Sequence, residues 1–394
     1  MLLLAVSLSA QNNTSSPYSR FGYGELNDNV PGAYRAMGSV GLGMRNSKVI
    51  NPSQPASYSV VDSATFMFDI GASGMWTNHD DAYGKRDNGS GNLEYLTLQV
   101  PFWKYIGFSA GVMPYSMVGY NLTENDTTAN HPFTRQYYGK GGVTEVYGGL
   151  SFNIMNWVAL GANIYYMFGE INNTRSLTFS DSFFTNVNEQ SALRVSDLRF
   201  RYGLQFFHTF KEKHTIVLGA VFEHKSRFNV RYLLDETIRR DTIIQTDDRN
   251  GFGLPMMYGI GASYTYDNRL TVALDYSVTN WSQINYFAQT GLLKDRGRIS
   301  VGAEYRHNAL SKKYAERMPW RLGFSMCDSY LHEIPSKEFT VSLGFGFPLR
   351  NIGTVINTSF EYGHRGSADT LEENFIRFTL NAQIVETWFL KRKL

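Results

Sequence analysis

Long apolar runs are missing from this chain of 394 residues. A helix crossing a bilayer needs about 20 consecutive apolar residues, so helical membrane spans are excluded. Cysteine is nearly absent. Cys327 stands alone, so no internal disulfide can form, and it reads as a small packed residue. Neither sign of charge is in excess. The net charge of +2 leaves no electrostatic footprint for a nucleic-acid partner. The 8 His residues are scattered, with no HExxH and no Cys/His cluster, so no metal site is expected. Gly139-Lys140-Gly141-Gly142 lacks the remainder of a phosphate-binding loop and reads as strand glycine. No cofactor is expected.

Aromatic residues and glycine are abundant. There are 25 Tyr, 27 Phe and 36 Gly, with a mean hydropathy of only −0.29. That mixture suits strands with one greasy face and one polar face. From Ala64 onward the chain alternates with period two. Phe66, Phe68, Ile70 and Ala72 interleave with polar residues, as do Leu160, Ala162, Ile164, Tyr166 and Phe168. Val341, Leu343, Phe345 and Phe347, and then Ile376, Phe378, Leu380, Ala382 and Ile384, repeat the pattern.

Alternation alone does not separate a soluble sandwich from a membrane barrel, whose greasy face meets lipid and whose polar face lines the lumen. Three further features do. First, fourteen candidate strands can be marked, near 64–77, 92–102, 106–120, 136–152, 157–176, 193–208, 214–228, 253–266, 269–284, 296–307, 319–329, 337–347, 353–364 and 373–388. Many reach the roughly 9–11 residues that a tilted strand needs to cross a bilayer. Second, the connections alternate between short ones (103–105, 153–156, 209–213, 267–268, 348–352) and long polar ones (78–91, 121–135, 177–192, 229–252, 285–295). Short periplasmic turns and long external loops are the rule for such barrels; the connection at 308–318 breaks it. Third, all 6 Trp fall at strand ends: Trp103, Trp157, Trp320 and Trp388 at the periplasmic side, Trp76 and Trp281 at the external side. The sorting predicts an aromatic girdle at each interface. The expected fold is therefore all-β: a transmembrane antiparallel β-barrel of about fourteen strands over 61–394, in the outer membrane and in contact with its lipid.

The N-terminal region differs. Residues 1–10 (MLLLAVSLSA) read as the end of a signal peptide cleaved before Gln11, or else as a frayed apolar terminus. Residues 11–60 hold Pro17, Pro31, Pro52 and Pro55 and show no alternation; one short helix is expected around Gly32–Gly38. This segment reads as a plug folded into the barrel, with Arg20, Phe21, Asn51 and Pro52 as its candidate residues. A periplasmic tail bound to a partner is the other option.

Pro114 interrupts the third strand, with Gly111, Met113, Tyr115 and Met117 around it. Proline cannot donate a ladder hydrogen bond, and a closed barrel has no edge to hide it. A bulge or kink follows. It either adjusts barrel shape or opens the wall, and simple alternation places Met113, Tyr115 and Met117 on the lumen face. Interrupted pairing of this strand with one of its neighbours is expected at Met113–Tyr115. Glu145, Asp275, Glu304, Arg306, Glu361 and Arg377 are also placed inward, as ion pairs or as part of a permeation path.

Two catalytic-looking patterns read as decoys, and the chain reads as no enzyme. Gly107-Phe108-Ser109-Ala110-Gly111 lies inside a strand, where a nucleophile elbow needs a strand–turn–helix. His224 and Ser226 have the spacing of an outer-membrane phospholipase pair but nothing else of that family. Asp62-Ser63-Ala64, Asp126-Thr127-Thr128, Asp241-Thr242-Ile243 and Asp369-Thr370-Leu371 match a short O-glycosylation signal.

Gly32-Ala33-Tyr34-Arg35-Ala36-Met37-Gly38 followed by Asn51-Pro52-Ser53-Gln54-Pro55-Ala56-Ser57-Tyr58 resembles the N-terminal signature of the FadL-type outer-membrane transporters, here expanded by Ser53 and Gln54. Gly141-Gly142-Val143 through Gly148-Gly149-Leu150, then Leu160-Gly161-Ala162-Asn163 and Phe168-Gly169, look like the fourth and fifth strands of Bacteroidota members, as does the ending Trp388 to Lys393. The resemblance spans essentially the whole chain. It implies an N-terminal hatch, entry of a hydrophobic small molecule from outside, and lateral exit through a kink in the third strand. Uptake is thus the leading expectation, and the alternative is a scaffold role, since some relatives act as accessory barrels of secretion or barrel-assembly complexes, with other outer-membrane proteins as partners.

Overall fold

A computed structural model describes residues 14–387, apart from 63, 82–83, 127–130, 182, 239–240, 249–250, 335–336, 350–352 and 368–370. The expected signal segment, Trp388 and the C-terminal ending lie outside the described residues. So do Ser63, Thr127, Thr128, Asp369 and Thr370 of the glycosylation-like motifs.

Fourteen antiparallel strands form a ring: β1 (Thr65–Asp81), β2 (Gly84–Trp103), β3 (Ile106–Asp126), β4 (Phe133–Met155), β5 (Val158–Phe179), β6 (Val187–Phe210), β7 (His214–Glu223), β8 (Met257–Tyr266), β9 (Leu270–Thr279), β10 (Arg296–Tyr305), β11 (Trp320–Asp328), β12 (Lys337–Pro348), β13 (Val355–Gly366) and β14 (Leu371–Thr387). Each pairs with the next, and β14 pairs with β1 from Thr65↔Thr387 to Asp81↔Leu371, closing the barrel. Closure satisfies the backbone that an open sheet would expose to lipid.

The outward positions form a continuous apolar band. Leu160, Ile164 and Leu343 are 42%, 44% and 43% exposed, while their neighbours Asn163 and Ser342 are buried. A greasy exterior around a polar interior is the inverted pattern of a bilayer-spanning barrel. Trp103, Trp157 and Trp320 are exposed at strand ends, as an aromatic girdle requires, whereas Trp76, also exposed, lies within β1 because that strand runs on to Asp81.

Two expectations need correction. The connections at 78–91, 121–135 and 177–192 are not long loops but the outer halves of long hairpins; β1 and β2 remain paired to Asp81↔Gly84. Likewise, Val230–Ile238 pairs with β6 and with Asp241–Asp248. Above the bilayer both faces of a strand meet water, so alternation vanishes while backbone pairing persists. Trp281 is the second correction: it is 2% exposed. The chain leaves β9 and turns inward through a 3-10 turn at Trp281–Gln283. This sets the indole against Tyr330 (centroids 4.9 Å apart) and Tyr23 (5.8 Å) rather than against lipid.

Candidate functional site

The N-terminal segment runs through the barrel interior and is bonded to strands on all sides. Its expected short helix is Gly32–Arg35. The Asp275 carboxylate on β9 accepts the backbone N–H groups of Gly41 (2.6 Å), Leu42 (2.7 Å) and Gly43 (3.2 Å). Arg45 donates to Gln205 (3.2 Å) on β6 and Asn153 (2.9 Å) on β4, and covers the Phe207 ring. Gln54 donates to the carbonyls of Leu204 and Ala220. Gly38 donates to Ser342 of β12 (2.9 Å) and Gly32 to Tyr95 of β2 (2.7 Å).

Close approach is made possible by glycines on the inner wall. A Cβ added at Gly302 would collide with the backbone of Met37, and one at Gly323 with that of Gly38. Gly107, Gly161, Gly219 and Gly261 meet Tyr58, Pro55, Leu42 and Gly43 in the same way. These glycines form a seat for the segment. Their role as a seat was not read from the sequence, although each is an inward position of small size within an alternating strand.

The four expected plug residues occupy two places. Arg20 lies over the Tyr137 ring (3.9 Å) and Phe21 packs into an aromatic cluster at the long-hairpin, external end. Asn51 and Pro52 sit deeper. Asn51 donates to Gly41 O (2.7 Å), and the Pro52 carbonyl accepts from Asn163 (3.0 Å) and Tyr165 (3.2 Å) of β5. The external cluster joins Tyr23 to Phe228 (5.4 Å), Tyr286 (5.3 Å) and Trp281, with the Tyr330 hydroxyl donating to the Gly24 carbonyl.

Buried charge lines much of the rest of the lumen and is paired at several sites, while Asp69 accepts hydrogen bonds from Asn381 (2.8 Å) and Tyr95 (3.4 Å). Arg199 bonds Glu145 (2.6 Å) and Glu223 (2.7 Å), and Arg201 bonds Glu223 (2.5 Å). Arg35 of the segment pairs with Glu94 (2.9 Å), and Arg365 with Glu25 (3.0 Å) and Glu373. Arg321 meets Glu304 (2.7 Å) and Arg377 meets Glu361 (3.4 Å). Burial would raise the Asp28 carboxyl, but Arg298 and Arg296 beside it hold it well below the usual range. Glu25 is likewise lowered: Arg365 and a Thr14 hydrogen bond outweigh its burial. Of the inward charges expected from sequence, Glu145, Glu304, Glu361 and Arg377 are ion-paired, and Asp275 holds backbone. Arg306 lies just past β10.

Two cavities adjoin residues 24–30 of the segment. One, about 140 Å³, is bounded by Asp28, Tyr115, Arg199, Glu223, Asp275 and Arg298. The other, about 80 Å³, lies among Glu25, Arg35, Glu94, Met117, Arg365 and Arg377.

The wall is interrupted at β3. Its pairing with β2 ends at Leu96↔Val112, one residue before the expected stretch, and no β2 partner follows for Met113–Asp126. Pairing of β3 with β4 continues, but with a bulge: Pro114 faces Thr144 and Ser116 faces Val143, leaving Tyr115 over. On the vacated edge, Glu25↔Met117 and Leu26↔Ser116 pair as a short strand, and Asn27 N–H donates to Tyr115 O (2.9 Å). Met113 and Tyr115 keep the expected lumen side, Tyr115 beside Arg199, and Met117 borders the second cavity, but the bulge resets the alternation beyond it. Met113 is buried among Tyr58, Tyr95, Tyr147 and Tyr165; beyond the bulge Ser116 and Val118 are buried, not Met117. Gly111 is needed for packing rather than for flexibility, since an added Cβ would meet Leu96 O and the Tyr147 ring. Ser109 is bonded to Leu98 O (2.9 Å) and Tyr147 (2.8 Å), and the His224 ring stacks on Phe200.

The model of the BamG family matches residues 1–394. The chain belongs to the BamG family. No curated protein matches it. The barrel is similar to the Ralstonia pickettii toluene transporter TbuX (14% identity, 90% of this chain, 98% of that one, TM-score 0.59). It is also similar to a Pseudomonas aeruginosa FadL homologue (11%, 93%, 100%, 0.62) and to the P. putida toluene transporter TodX (16%, 93%, 100%, 0.61). This BamG-family chain therefore has the FadL-type fold of an outer-membrane barrel.

Proposed function

We propose that this BamG-family barrel is a non-enzymatic accessory subunit of the outer-membrane protein-assembly machinery, resident in the outer membrane. The observation that carries the reading is the occupied lumen. Ligand pockets usually offer about 300–1,000 Å³ with mostly apolar walls. Here the two cavities along the segment are about 140 and 80 Å³, and Arg199, Glu223, Arg298, Glu25 and Arg365 stand in their walls beside Leu42, Met257 and Leu331. A long apolar molecule entering either one would strip paired buried charges of their environment, which is costly. The name Bam supports the same reading. Because fold alone does not carry function, the FadL-type fold is compatible with a barrel kept for its outer surface.

A second reading is passive uptake of a hydrophobic small molecule with lateral exit. The break between β2 and β3 at Val112 favours it, with Gly111, Met113, Pro114, Tyr115 and Met117 along the break. In that case Gly24–Asp28 must leave the gap before anything passes. Gentle affinity purification from native membranes separates the two readings. A stoichiometric complex with the machinery's core barrel is expected; isolation as a lone barrel, together with loss of hydrocarbon uptake on deletion, would favour transport.

A further inference from the structure

We infer that the long periplasmic connection, residues 306–319, is an interfacial anchor that binds anionic phospholipid headgroups of the periplasmic leaflet. The inference goes beyond both functional readings and depends on neither. The connection leaves and re-enters the wall at the aromatic girdle. Tyr305, the last residue of β10, pairs with Trp320, the first of β11, and both rings are exposed on the outer face. Such rings sit at headgroup level, so residues 306–319 begin and end beside the headgroups. The segment is folded rather than loose. Arg306 N–H donates to Arg269 O (2.7 Å), Asn308 N–H to Glu316 O (2.9 Å), and the Ser311 hydroxyl to the Glu316 carboxylate (2.6 Å), with one helical turn at Tyr314–Arg317.

Two observations select lipid as the occupant. The first is the apolar tip. The folded connection holds Leu310 at 86% exposure, with Tyr314 also exposed. A lone exposed leucine is ordinary on a surface that meets only water. On a loop hung from two girdle residues, leucine and tyrosine are side chains suited to the headgroup boundary. The second is charge. Lys313 is matched by Glu316 (3.4 Å), whereas Arg306, Lys312 and Arg317 have no carboxylate partner among the described residues. The Arg317 guanidinium lies over the Tyr314 ring (5.2 Å), which leaves its charge unopposed. The short turns of the same rim add Lys104, Lys211, Lys213 and Arg269 against Glu212 and Asp267. The rim therefore carries a larger positive excess than the +2 of the whole chain. Basic residues beside a bilayer are drawn to anionic lipid, and a zwitterionic headgroup offers no net charge to answer them. An acidic protein surface would answer the charge, but the apolar tip at the girdle fits a bilayer.

The test uses full-length protein in nanodiscs of equal parts phosphatidylcholine and phosphatidylglycerol. Leu310 is replaced by the photocross-linking residue p-benzoylphenylalanine, and Leu343, in a separate variant, serves as the lipid-facing control. The expected result is lipid adducts from both sites, with phosphatidylglycerol favoured several-fold over phosphatidylcholine at position 310 and neither favoured at position 343. Raising the salt concentration should shrink the preference. Adding Lys312→Glu and Lys313→Glu should abolish it while adducts from position 343 persist. No lipid adduct at position 310, equal capture of the two lipids there, or a preference that survives charge reversal would overturn the inference. So would a protein adduct in place of lipid when the position 310 variant is irradiated in native membranes. None of these outcomes changes whether an assembly partner co-purifies, so the accessory reading stands or falls separately.

Discussion

Asp28 of the lumenal segment and Arg298 of β10 form an ion pair inside the barrel, and Arg296 stands 3.4 Å from the same carboxylate oxygen. The contact ties the segment to the barrel wall at β10. Glu25 makes the corresponding tie to Arg365 on β13 at 3.0 Å. Together they bracket the short strand that closes the inner side of the β2–β3 break.

These ties give the segment a pH dependence. Both carboxyls are held below their ordinary values, Asp28 by Arg298 and Arg296, with Arg35 adding, and Glu25 by Arg365, with Arg377 and Thr14 adding. A depressed folded pKa contributes stability that is fully present above the unfolded value of about 4 and is lost as pH falls through the folded value. Hydrogen exchange of residues 24–30, normalised to the intrinsic rate at each pH, should therefore be slow and constant from pH 5 to 8 and rise below about pH 4. In Asp28→Asn it should be fast throughout. A flat profile down to about pH 2 would remove the ion-pair account.

Asp275→Asn tests the deeper anchor. Asparagine has one acceptor oxygen where the carboxylate serves three N–H groups. Charge-assisted hydrogen bonds are each worth about 1.5–3 kcal/mol, so the turn at Gly41–Gly43 should loosen while the barrel still folds. Limited proteolysis in detergent should then cut between residues 39 and 46, where the unaltered protein resists.

The outer band should reject charge. Leu160→Arg, Ile164→Arg and Leu343→Arg should each cost about 2–4 kcal/mol near the midplane when unfolding from lipid vesicles is measured. Insensitivity at all three sites would reverse the assignment of faces.

How much of this was legible before the structure depended on what alternation encodes. Leu160, Ile164 and Leu343 declare their face because lipid imposes period two, and the fourteen strands follow. The outer half of β2 was read as loop because Lys85, Arg86 and Asp87 meet water on both faces. Pro114 marked the break, since a missing donor is a local property. The parity change beyond Tyr115 was hidden, because a bulge shifts the register without altering composition. Trp281 was misplaced for a related reason: its position in sequence locates the strand end but not the inward turn that follows. The seat of the lumenal segment was present in Gly302 and Gly323, yet an inward glycine reads equally as weak strand packing until its partner, Met37 or Gly38, is placed beside it.

Removing residues 14–57 should leave a barrel that folds and conducts. The inner wall would keep its strands and lose the bonds of Arg45, Gln54 and Gly41–Gly43 that fill it. In planar bilayers the unaltered protein should pass little current and the deletion should give stable open channels. Equal conductance of the two would mean that the segment does not close the lumen.

The central claim is that this barrel assists the assembly of others rather than carrying molecules through its own lumen. The most direct measurement is the folded, heat-modifiable fraction of the remaining outer-membrane β-barrels after depletion of this protein, taken alongside uptake of a labelled aromatic hydrocarbon. The account predicts that the folded fraction falls several-fold while uptake per folded barrel is unchanged; intact folding with lost uptake would contradict it.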